Sequence, residues 1–139
     1  MGIVAPSGRY STNTVVENIL ATVRSASGQP MRYHDPHHTT EVPYARAFLA
    51  TRFRDLIHAA SKIPEWRAID DYTAKAPTPR QLNKAQTAFL FRLFQKQFDQ
   101  KGPNGEELRS THNLIDSGLT PQMLDDLLAN MFPVQTTTT

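Results

Sequence analysis

Apolar residues along this chain recur at spacings of three and four, the period of helices packed on one face. Val15, Val16, Ile19, Leu20 and Val23 form the first such stripe. Ser11 or Thr12 stands where a hydroxyl caps the free N–H groups of a first turn, and Gly28 stands where a helix ends. Residues 31–42 read as a polar loop. Pro43 suits the first turn of a second helix, whose broad apolar face is Tyr44, Phe48, Phe53, Leu56, Ile57 and Ala60. Ile63-Pro64 breaks that helix, and a short one carrying Trp66 and Ile69 follows. Thr78 as N-cap with Pro79 at N1 predicts a helix to about residue 100, bearing Leu82, Phe89, Leu90, Leu93, Phe94 and Phe98. A turn at residues 101–105 leads to a short helix over 106–117, stopped at Gly118. Thr120-Pro121 opens the last helix, with Leu124, Leu127, Leu128 and Met131 as its stripe. No strand alternation and no internal repeat stands out.

The expected fold is therefore all-α, a small single domain of five or six helices with extended arms. Residues 1–10 are expected as an extended N-terminal arm, 11–132 as the helical domain and 133–139, with four closing threonines, as a disordered tail.

Composition narrows the function classes. The chain has 139 residues, enough for one domain with a real core. No cysteine is present, which excludes disulfides, thiolate metal sites and a cysteine nucleophile. No apolar run reaches membrane-spanning length. The N-terminus lacks the basic and apolar regions of a signal peptide, and no arginine-rich presequence is visible, so organelle import would use a cryptic or removed signal. The net charge is +2, and the basic residues are scattered. The densest group, Arg46, Arg52 and Arg54, is followed at once by Asp55 and reads as a solvated helix face, so nucleic acid is not an expected partner.

The most concentrated candidate chemistry is Tyr33-His34-Asp35-Pro36-His37-His38. Histidine nitrogens with a nearby carboxylate suit a transition metal. The run resembles the first-histidine segment of HD-type metal phosphohydrolases, in which a later His-Asp pair completes the site. Here the later histidine, His58, precedes Ala59, so the carboxylate is missing. No catalytic residue, cofactor or metal is expected. There is no Gly-rich phosphate loop and no Ser-His-Asp arrangement. Asp70-Asp71 and Asp125-Asp126 are neighbours about 100° apart on a helix, so neither pair makes a shared acid–base site.

The Phe-rich helix has another implication. Phe89 and Leu93 share a face, whereas Phe91 points away from it. A helix apolar on more than one side is deeply buried or sits against a partner.

Residues 42–77 resemble the 14-kDa matrix-side subunit of the mitochondrial cytochrome bc1 complex. The resemblance rests on Tyr44-Ala45-Arg46-Ala47-Phe48, Arg52, Ile63-Pro64, Trp66, Asp70-Asp71, Tyr72 and Pro77. Ile63-Pro64-Glu65 and Tyr72-Thr73 also resemble a stretch of a small matrix-arm accessory subunit of respiratory complex I. Either resemblance implies a non-catalytic accessory subunit of a respiratory-chain complex, with ubiquinol–cytochrome c reductase, complex III, first. It would sit peripherally on the matrix side of the mitochondrial inner membrane, as part of an electron-transport assembly. Its partners would be larger protein subunits, and it would not be a free monomer. Tyr44, Arg46, Phe48, Arg52, Trp66, Phe91 and Phe94 are the candidate partner-binding residues. The rivals are a degenerate HD-type phosphohydrolase centred on His34, His37, His38 and His58, and a free-standing binding protein.

Overall fold

The computed structural model describes residues 8–33, 42–70 and 81–133. Six helices carry it: α1 (Thr12–Ser27), α2 (Val42–Ala60), α3 (Pro64–Ile69), α4 (Lys84–Lys96), α5 (Arg109–Asp116) and α6 (Pro121–Met131). One 3-10 turn, Gln97–Asp99, prolongs α4. The chain is a small all-α domain, as its apolar periodicity predicts.

Local chemistry sets most boundaries. The Ser11 hydroxyl accepts from the Thr14 amide at 3.2 Å and opens α1. Gly28, at φ 73°, closes it by donating its amide to the Arg24 carbonyl at 2.8 Å. That left-handed conformation costs a residue with a Cβ about 1–2 kcal/mol. Pro64 stands at the start of α3, where its missing N–H is harmless. The Thr120 hydroxyl accepts from the Met123 amide at 3.2 Å and opens α6, with Pro121 next.

Two boundaries differ from expectation. The Phe-rich helix starts at Lys84, not Pro79, and its cap is Asn83. The Asn83 side chain accepts from the Gln86 amide at 2.8 Å while the Gln86 side chain accepts from the Asn83 amide at 3.1 Å. This reciprocal pair satisfies two otherwise orphaned donors. Thr78 and Pro79 lie outside the described residues. The next helix starts at Arg109 rather than 106, because Glu106 is held in the preceding turn. Its carbonyl accepts from the Gly102 amide at 2.8 Å.

The helices close into a ring. α1 packs on α2 and α6, and α4 packs on the same two, so each of the four has two neighbours. α3 rests on α4, and α5 rests on the 3-10 turn. The Thr111 hydroxyl fixes the latter junction through the carbonyls of Gln97 and Gln100, at 3.2 and 3.1 Å. Inside the ring Ile19, Val23, Leu49, Leu90 and Phe94 are fully buried. Phe53 touches the rings of Phe91 and Phe94, centroids 6.1 and 5.4 Å away, in the tilted and edge-on geometries aromatic quadrupoles favour.

A two-stranded antiparallel sheet, β1 (Tyr10–Ser11) and β2 (Gln81–Leu82), joins the starts of α1 and α4. Alternation does not announce strands of two residues. It draws Tyr10 out of the expected arm and into the core, 2% exposed. The remainder of the expected arm, residues 1–7, and the tail from 134 lie outside the described residues.

Candidate partner-binding surface

The seven candidate residues separate into two groups. Phe91, Phe94 and Trp66 are buried in this chain's own core. Trp66 meets the edge of Phe89 with ring centroids 5.7 Å apart. The apolar character of α4 on more than one side is thus answered by α2 and α3 within the chain. Among the described residues, Ile115 is the large apolar side chain left exposed.

Tyr44, Arg46, Phe48 and Arg52 keep accessible surface on α2. Their spacing of four places Tyr44, Phe48 and Arg52 along one row of the helix. Tyr33, the last described residue before α2, stacks on Phe48 with centroids 3.8 Å apart and planes 14° from parallel. The Arg52 guanidinium lies 5.4 Å from the centre of the Phe48 ring, a cation–π distance. Its Nε is buried and has no hydrogen-bond partner among the described residues. The three side chains make a half-exposed pile of two aromatic rings and a cation.

Arg46 turns to the other side of α2. Its Nε and one terminal nitrogen donate to the two carboxylate oxygens of Glu17 on α1, at 2.8 and 3.1 Å. The hydrogen bond from Arg46 holds the Glu17 carboxyl below its ordinary value, and Glu17 raises that of Arg46. The fork-to-fork geometry gives the α1–α2 contact a directional link at its surface.

Sequence inspection missed what flanks this pair. Arg24, Arg54 and Ala50 line the α1–α2 seam beside it. The four-residue steps Arg46, Ala50, Arg54 were the available signal. Of the histidines in the metal reading, His58 is exposed near the end of α2, and His34, His37 and His38 lie outside the described residues. Among the described residues no three His, Asp or Glu side chains gather as a metal cluster. No described helix is long and apolar enough to cross a membrane.

No protein-family model, curated protein or solved structure matches this chain, so the resemblance of residues 42–77 stands on its quoted side chains alone. Of those, Asp71, Tyr72 and Pro77 lie outside the described residues.

Proposed function

We propose that this chain is a non-catalytic accessory subunit of a larger assembly, and that it acts by packing its α2 face on a bigger protein. The observation that carries the reading is the half-exposed pile of Tyr33, Phe48 and Arg52. Aromatic and arginine side chains held rigid at a surface are the residue types that anchor protein interfaces. Phe48 and Arg52 also belong to the motif that resembles the bc1-complex subunit, and that resemblance makes respiratory complex III the first assembly to examine. The matrix side of the mitochondrial inner membrane is the location it implies.

Native purification from the source organism tests the reading. The expected result is co-migration with haem-containing ubiquinol–cytochrome c reductase, weakened by Phe48→Ala. Co-migration with complex I would transfer the role to that assembly. A chain travelling alone would overturn the reading.

A further inference from the structure

We infer that the seam between α1 and α2 is a docking groove for one acidic amphipathic helix of a partner protein. The inference rests on the accessory-subunit reading, which supplies the partner, but the groove is defined by its own geometry.

The groove is a row of three adjoining depressions of about 230, 520 and 320 Å³, the last two separated by the Glu17–Arg46 pair that bridges the helices. The first two share Asn13 and Ala50, and the last two share Glu17 and Arg46. It runs the length of α1 from Thr12 to Arg24, about 18 Å at the helical rise, which matches roughly three turns of a bound helix. Its lining steps four residues at a time along each helix: Val16, Leu20 and Arg24 on α1, and Arg46, Ala50 and Arg54 on α2. Leu20 and Ile57 pack on the core cluster while still lining the floor. Such a floor takes the apolar stripe of a helix laid into it.

The rim chooses the sign of the partner. Three exposed arginines, Arg24, Arg46 and Arg54, border the groove. Glu17 is the acid among the described lining residues, and Arg46 already holds it. Arg24 and Arg54 have no carboxylate partner among the described residues. Two guanidinium groups without a carboxylate partner among the described residues, at opposite ends of an apolar floor, complement a helix with carboxylates flanking its apolar stripe, because opposite charges at a rim steer and orient docking.

The test uses the full chain and three synthetic peptides of about four turns. One has a Leu/Ala stripe flanked by Glu, the second replaces Glu by Lys, and the third scrambles the first to destroy its stripe. Fluorescence anisotropy should show binding of the acidic amphipathic peptide alone, weakened by salt. Ala50→Gln, which adds bulk without charge at a partly exposed position of the groove, should reduce affinity at least about tenfold. Arg24→Glu combined with Arg54→Glu should transfer preference to the Lys peptide. Circular dichroism verifies that both variants fold. No binding, equal binding of both charge types, or binding indifferent to Ala50→Gln would overturn the inference. So would dimerisation of the chain alone that Ala50→Gln abolishes, or adsorption to phosphatidylserine vesicles through the same residues without peptide binding. Native co-migration with an assembly would stand if the peptides failed, so loss of the groove and loss of the subunit role are separate outcomes.

Discussion

The phenol of Tyr10 donates to the main-chain carbonyl of Met131 at 2.8 Å, a buried bond across 121 positions. Its ring also meets Phe132 edge-on, centroids 5.2 Å apart. The start of α1 and the end of α6 are thus held by one side chain that supplies both packing and a donor. Tyr10→Phe keeps the ring and strips the carbonyl of its partner, which should cost about 0.5–1.5 kcal/mol. Tyr10→Ala removes the packing too and should cost about 3–5 kcal/mol, as aromatic truncations in cores do. Urea denaturation followed by circular dichroism measures both. Equal midpoints for Tyr10→Phe and the parent would show that the bond contributes nothing.

Trp66 is 3% exposed on a helix of only six residues. So short a helix has little stability of its own and depends on its side-chain contacts. The indole against Phe89 is the contact that fastens α3 to α4. Trp66→Ala should destabilise by about 3–5 kcal/mol. As the sole tryptophan, it also reports its own burial. Native emission should lie well to the blue of the urea-unfolded chain, and native emission already at the unfolded position would contradict the packing.

Signals within one turn of a helix were readable from the sequence: Ser11, Gly28, Pro64 and Thr120 act where their local chemistry predicts. The start of α4 was not, because two cap signals compete within five residues. Thr78-Pro79 has the stronger dipeptide signature, but Asn83 has Gln86 three positions on to complete the reciprocal bond. Periodicity correctly marked Phe91 and Phe94 as apolar surfaces to be covered. It carries no information on whether a partner or the same chain covers them, and α2 does so here through Phe53. The burial of Tyr10 was illegible for a related reason. Its partners Leu82 and Met131 are 72 and 121 residues distant, and no local pattern encodes a long-range pairing. The α1–α2 groove arises in the same way, from two helices whose facing rows are each unremarkable alone.

Asn83 does more than cap α4. Its side-chain nitrogen donates to the Ile69 carbonyl at 2.9 Å, joining the end of α3 to the start of α4. Asn83→Ala loses the cap, worth about 1 kcal/mol, and the inter-helix bond, worth about another 1 kcal/mol. Asn83→Asp keeps an acceptor for the Gln86 amide, and its charge suits a helix N-terminus. It cannot donate to Ile69. The expected order of stability is therefore parent, then Asp, then Ala. An Asp variant as unstable as the Ala variant would mean that the retained cap contributes nothing net at this junction.

The Glu17–Arg46 pair sets a pH dependence whose sign follows from the direction of its shift. Arg46 holds the folded Glu17 carboxyl below its ordinary value, so near that value the unfolded chain binds more protons than the folded one. The pair's stabilisation is therefore fully present above the ordinary carboxylate pKa and disappears as pH falls through the lowered folded value. Arg46 stays charged throughout this window and adds no titration of its own. Both side chains are about half exposed, 57% and 50%, so the stabilisation is small and screened by salt. NMR titration of the Glu17 carboxyl should give a midpoint below the ordinary carboxylate value, returning toward it in Arg46→Ala. The stability difference between the parent and Arg46→Ala should shrink as pH drops below the folded midpoint. A double-mutant cycle with Glu17→Gln isolates the coupling from any packing lost with the arginine. A Glu17 midpoint unmoved by Arg46→Ala would show that the fork between α1 and α2 does not persist in solution, and the bridge it makes across the groove would go with it.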